Sequence, residues 1–91
     1  MHYVYVLYST FDHGMYIGYS ANLRRRLGEH RLGLSAATRH RRPWRLAYCE
    51  PYLDPNDAIS RERFLKSGAG RTYLKGECRH FFASNPLRSA A

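Results

Sequence analysis

Acidic side chains are scarce in this chain. Seven Asp and Glu stand against fifteen Lys and Arg, a formal net charge of +8 over 91 residues. A surplus of that size on a small body argues against a basic partner and points to a polyanion, nucleic acid first. Cysteine is nearly absent. Cys49 and Cys78 are the only two, too few for a metal-ligand cluster, so two reduced, partly buried thiols in a cytoplasmic protein are expected. His2, His13, His30, His40 and His80 are scattered, which argues against a zinc site. No apolar run approaches a membrane span, and the first residues read as strand, so neither secretion nor membrane association is expected. What is left is room for one domain with one modest core. We place that domain at residues 1–83, with 84–91, which hold Asn85-Pro86 and small residues, as a flexible tail.

Aromatic residues are plentiful by contrast, and eight of them are Tyr. Residues 2–8 alternate: Tyr3, Tyr5 and Leu7 on one face, Val4, Val6 and Tyr8 on the other. Both faces are apolar or aromatic, which predicts a central strand. Asp12-His13-Gly14 is a turn cluster, and residues 15–19 return as an antiparallel partner. Gly18 ends the pattern, and Ser20 or Asn22 caps a helix over residues 22–31. At about 100° per residue, Leu23 and Leu27 share a stripe, and Arg26 and His30 fall within about 60° of it. Either their polar tips reach past the core edge to water, or they face a site.

Residues 32–43 form a loop without periodicity that carries Arg39-His40-Arg41-Arg42. It is either a solvated segment or a phosphate-contacting one, since Lys and Arg supply most contacts to a nucleic-acid backbone. Trp44 to Tyr52 alternates Trp44, Leu46 and Tyr48 against Arg45, Ala47 and Cys49, a third strand weakened at Pro51. Trp44 suits a core position or a base stack. Asp54-Pro55 opens a second helix that runs to about Ser67. Ala58, Ile59 and Leu65 set its apolar stripe, and Glu62 projects near the middle of it. A carboxylate there needs a cation or a metal, so Glu62 pairs with an Arg such as Arg26 or serves as a ligand. Gly68 to Arg71 reads as a tight turn, and Thr72 to Phe82 as a last helix.

Tyr3-Val4-Tyr5, then Tyr16-Ile17-Gly18, then Asn22-Leu23 with Arg26 and His30 after it, resembles the GIY-YIG nuclease domain. The small bacterial single-domain members, related to the nuclease domain of the excinuclease C subunit, are the most similar. The likeness runs from about Tyr3 to Arg71. The second motif is intact, whereas Tyr3 stands in place of the first motif's Gly, and Tyr19 stands where some relatives carry Lys.

The resemblance implies an α+β fold, a small three-stranded antiparallel β-sheet flanked by α-helices. It implies a metal-dependent endonuclease that hydrolyses phosphodiester bonds, in DNA sooner than in RNA. Glu62 would hold a single Mg²⁺ or Mn²⁺, and Arg26 would stabilise charge on the phosphate. Tyr5 or Tyr16 would deprotonate or orient the water, relayed by His30, with the surrounding cations lowering the tyrosine pKa. Tyr19, Arg24, Arg25, Arg39, Arg41, Arg42, Lys66 and Arg71 are the candidate nucleic-acid contacts. A binding module with weak or lost activity is the alternative. A larger protein partner that supplies specificity is compatible with either.

Overall fold

The strand that the sequence marks as covered on both faces lies at the centre of the sheet. β1 (His2–Ser9) pairs with β2 (Met15–Ser20) on one side and with β3 (Trp44–Tyr52) on the other, both antiparallel, in the order β2-β1-β3. The computed structural model describes residues 1–88. Within β1, every residue from Val4 to Ser9 is at most 2% exposed, because helices or loops cover both faces.

On one face, Val4 and Val6 pack with Met15 and Ile17 against Ala58, Leu65 and Leu74. The last three come from α2 (Pro55–Leu65) and α3 (Gly68–Glu77). Full burial of Leu65 and of Leu74 contributes about 1.5–3 kcal/mol each. α4 (Arg79–Ser84) continues this layer, with Phe81 edge-on to the Tyr8 ring at 5.7 Å. The opposite face presents Tyr5 and Leu7 to α1 (Leu23–Leu32) and to the loop after it. The helix ends follow local chemistry. Asn22 accepts from the Arg25 amide, Asp54 accepts from the Asn56 amide, and Gly33 leaves α1 at φ 77°. Arg61 on α2 donates to both oxygens of Glu50 on β3, at 2.9 and 3.0 Å. Tyr48 and Tyr52 donate to the same carboxylate. This strap holds α2 against β3 one residue from Glu62.

Several expectations are corrected. Gly68 to Arg71 is the first turn of α3, not a turn between helices. Ser67 caps it by accepting from the Gly70 amide at 3.1 Å. A Cβ on Gly70 would collide with the Phe64 carbonyl and the Leu65 backbone, so this glycine serves a close helix–helix approach. The last helix is two, α3 and α4, divided at Cys78. α2 stops at Leu65 rather than Ser67, because Ser67 is already the cap of α3. Ile59 is 40% exposed and leaves the core to Ala58 and Leu65. Cys49 is exposed and only Cys78 is buried. In β3 a bulge shifts the register: Val6 pairs with Tyr48 but Leu7 with Leu46. Ala47 is therefore the extra residue, and it puts Tyr48 on the opposite face from Trp44 and Leu46.

The tail expected to be loose is held at its start, where Pro86 accepts from the Tyr8 hydroxyl at 2.8 Å and the Arg88 amide donates to the His13 carbonyl at 2.9 Å. Residues 89–91 lie outside the described residues.

Candidate active site

Tyr5 rises from the middle of β1, and its ring crosses the β2 backbone at Gly18, its partner in register. A Cβ at position 18 would land on the Tyr5 hydroxyl, so glycine is required there by close approach. Tyr16, on the same face of β2, has its ring 6.5 Å from that of Tyr5 and 6.2 Å from Trp44. The last turn of α1 lowers His30 onto this pair. Its ring is 5.3 Å from Tyr16 and 5.7 Å from Tyr5, and the residue is 1% exposed.

Both nitrogens of His30 are engaged. Nε2 lies 2.7 Å from the Tyr5 hydroxyl and Nδ1 lies 2.7 Å from the hydroxyl of Thr38. Burial, reinforced by the nearby charge of Arg26, holds the His30 pKa below the usual imidazole value, so the ring is neutral at pH 7.

Arg26, one turn earlier on α1, donates to Glu29 at 3.0 Å and keeps a third of its side chain exposed. That hydrogen bond, helped by Tyr5, raises its pKa and secures its charge. The basic surroundings were expected to lower the tyrosine pKa. The opposite holds for Tyr5: burial pushes it up, and Arg26 beside the hydroxyl offsets only part of the rise. Desolvation of a phenolate in a fully covered position outweighs one half-exposed cation.

Glu62 belongs to α2, on the far face of the sheet. It is half-buried, not central in a buried stripe, and its partner is the exposed Lys66 at 3.5 Å. Arg26 is taken by Glu29, so Glu62 is not the counter-ion of Arg26. The charge of Glu62 nonetheless reaches the Tyr5 hydroxyl, adding a small upward push to its pKa. Tyr5, Tyr16, Arg26 and His30 thus meet in one cluster, with Glu62 within electrostatic reach. Among the described residues no three His, Cys, Asp or Glu gather as a ligand cage. A lone, half-buried carboxylate with one weak partner suits an ion that fills most of its shell with water and phosphate oxygens, as Mg²⁺ and Mn²⁺ do, and does not suit Zn²⁺.

The candidate nucleic-acid contacts divide. Arg24 and Arg25 on α1, Arg39 and Arg42 in the loop, and Lys66 after α2 are exposed. Arg24 and Arg31 rim a groove of about 300 Å³ between α1 and β3, floored by Leu27, Trp44 and Leu46. Arg41 is not a free cation. It is half-buried, donates to both oxygens of Asp12, and draws the Asp12 pKa down to about 2. Its task is to tie the loop to the β1–β2 hairpin, with help from Ser9, which donates to the Arg41 carbonyl. Tyr19 lies on the face of the sheet that α2 covers, opposite Tyr5, with its hydroxyl 2.8 Å from His2 Nδ1. Arg71 is half-buried in the first turn of α3.

Three roles were not read from the sequence. Glu29 stands three positions after Arg26, a legible helical pairing. Trp44 donates from Nε1 to the Thr38 carbonyl at 3.0 Å, and so anchors the loop. Thr38 itself, 0% exposed, has no local signal, because only the folding-back of the loop brings it to His30.

The family model described as the GIY-YIG catalytic domain matches residues 1–74. A UPF0213 protein of Natronomonas pharaonis is 43% identical over 67 residues, which is 72% of this chain and 78% of that protein. A UPF0213 protein encoded in the ldhD 5' region of Pediococcus acidilactici is 40% identical over 76 residues, covering 80% of this chain and 76% of that one. The solution NMR structure of a UPF0213 protein from Bacillus halodurans matches with a TM-score of 0.57 and 27% identity across 98% of both chains.

Proposed function

The chain belongs to the GIY-YIG nuclease family, and from that premise we propose that it is a metal-dependent endonuclease that hydrolyses phosphodiester bonds in nucleic acid, DNA in preference to RNA. The observation that carries the proposal is the meeting of Tyr5, Tyr16, Arg26 and His30 around one hydroxyl, with the Glu62 charge in reach of it. A domain that only binds nucleic acid has no use for a buried tyrosine–histidine pair beside a charged arginine.

In this reading Arg26, permanently charged and half-exposed, meets the phosphate oxygens and stabilises the negative charge that grows as water attacks. Tyr5 or Tyr16 orients the water and accepts its proton, with the tyrosine oxygen acting as phenolate. Glu62 would hold the divalent ion, which would supply Lewis-acid stabilisation of the leaving oxygen. Arg24, Arg25, Arg39 and Arg42 hold the backbone at a distance from the chemistry. We place this activity in the cytoplasm. No helix among the described residues is long and apolar enough to cross a membrane.

One observation favours the second reading, a binding module with weak turnover: burial raises the Tyr5 pKa, which makes the phenolate costly. A nicking assay with Mg²⁺ or Mn²⁺ across duplex, branched and single-stranded substrates decides between the two. Metal-dependent cleavage of any of them supports the nuclease. Salt-sensitive binding without cleavage under every condition supports the module.

A further inference from the structure

The helix that lowers His30 onto the tyrosines carries a second stripe on another flank. Arg24, Leu27, Gly28 and Arg31 recur at the i, i+3, i+4, i+7 spacing of one helical face. Together they form one wall of the groove of about 300 Å³, and Trp44 and Leu46 of β3 face them across it. At about 100° per residue Arg26 turns away from that stripe. Of the cluster around Tyr5, only His30 reaches the groove, so the groove is a place apart from the candidate chemistry. Arg31 and Trp44 also line a second hollow of about 520 Å³, with Arg39 and Arg42. The two hollows therefore join into one trench, apolar at its floor and rimmed by four arginines.

Three features say what fits there. The first is charge. No Asp or Glu occurs from His30 to Cys49, and among the described residues Arg24, Arg31, Arg39 and Arg42 have no carboxylate partner. Such a rim draws a chain of phosphates. The second is Trp44. Its Nε1 donates to the Thr38 carbonyl at 3.0 Å, and the Arg41 guanidinium lies over its ring at 4.8 Å. The ring is thereby fixed, yet it stays only half-buried and lines both hollows. A rigid, part-exposed aromatic ring under a positive rim is a platform on which a base stacks. The third is Gly28. Glycine in the middle of a helix weakens it relative to Ala, and a Cβ there would meet nothing within 4 Å. Close packing does not require this glycine; its effect is to leave the groove open. A base inside a duplex is stacked and paired, so only an unpaired one reaches such a floor.

We propose that the trench is a subsite for an unpaired nucleotide, with its base against Trp44 between Leu27 and Leu46 and the flanking phosphates on Arg24, Arg31, Arg39 and Arg42. The substrate is then a strand with a single-stranded or extruded nucleotide, not an intact duplex. This rests on the nucleic-acid part of the proposed function and is independent of cleavage.

The test uses the full chain in EDTA. Trp44 is its one Trp, so intrinsic fluorescence reports the groove directly. The probes are an oligothymidylate, an abasic strand of the same length, and a blunt duplex with the same number of phosphates. Oligothymidylate should quench Trp44 and bind about tenfold tighter than the abasic strand, the equivalent of one stacked base. The duplex should bind without quenching. Gly28→Leu fills the groove with a better helix former, so Tm should hold or rise while quenching disappears and the thymidylate-to-abasic ratio falls to about one. Leu46→Glu, at a position 44% exposed, is a second block; its charge acts on both strands and cancels in the ratio, which should fall likewise. Equal affinity for thymidylate and abasic strand, or a wild-type ratio in both variants, overturns the subsite and leaves the nuclease reading standing. So does a groove that binds the apolar dye ANS without preferring thymidylate, which would assign it to an apolar protein segment, or a dimer that Gly28→Leu dissociates, which would assign it to a second copy. If none of the three probes binds at low salt, the nucleic-acid reading itself falls, and the subsite with it.

Discussion

Replacing Glu62 with Gln separates a ligand from a counter-ion, and the structure sets the size of each effect. Had Glu62 neutralised a buried Arg26, removing its charge would strand a guanidinium at a cost of about 3–5 kcal/mol. The actual partner of Arg26 is Glu29, and Glu62 faces Lys66 across 3.5 Å, with more than half of the lysine side chain exposed. An i,i+4 pair of that kind is worth about 0.3–0.5 kcal/mol. In a domain of this size one kcal/mol moves Tm by about 4–8 °C, so Glu62→Gln should lower Tm by about 1–4 °C. Gln keeps the volume and one acceptor oxygen but loses the charge that draws a divalent cation. Cleavage in Mg²⁺ should therefore vanish while binding of an uncut substrate, followed by fluorescence anisotropy in EDTA, stays within a few-fold of wild type. Calorimetry, anisotropy and a plasmid-nicking gel measure the three quantities independently. A Tm drop beyond about 10 °C would show that Glu62 neutralises a buried cation, and full activity in the Gln variant would remove it from the metal site.

Gly18→Ala should be worse than Tyr5→Phe for both stability and cleavage. The added Cβ lands on the Tyr5 hydroxyl and displaces the ring, at an overpacking cost of about 1–3 kcal/mol read by urea unfolding. Arg39→Ala with Arg42→Ala should lower the salt slope of nucleic-acid binding by about two phosphate contacts without loss of Tm. Arg41→Ala should instead reduce Tm, because it cuts the tie to Asp12; equal effects from the two changes would refute the division. In acid, Asp12 gives the sign. Its folded pKa lies near 2, held down chiefly by the Arg41 hydrogen bond, against an unfolded value near 3.8. Its contribution is present above about pH 4 and fades as pH falls towards 2. Urea midpoints measured from pH 5 to 2 should fall less steeply for Asp12→Asn than for wild type.

The strands and the helix starts were legible because their causes are local. Alternation along residues 2–8, Asn22 before Leu23 and Asp54 before Pro55 each act within a few residues of the structure they produce. The approach of Arg26 and His30 to one covered face was legible for the same reason, since helix rotation is a property of spacing. Gly68 to Arg71 misled because Gly and Ala in series carry no apolar stripe. Their helical state comes from the Ser67 cap and from packing on the last turn of α2.

By itself the sequence determined the sheet, its antiparallel hairpin, the placement of Arg26 and His30, and the family. Each depends on periodicity or on residues close together in the chain. Tertiary structure alone decided that Arg41 pairs with Asp12, that Tyr19 lies on the far face, that burial raises the Tyr5 pKa, and that Thr38 meets His30. Those outcomes depend on which segments fold back on one another and on what is left out of water when they do. A charge or a hydroxyl in the chain carries no record of the desolvation and the partners it will meet there.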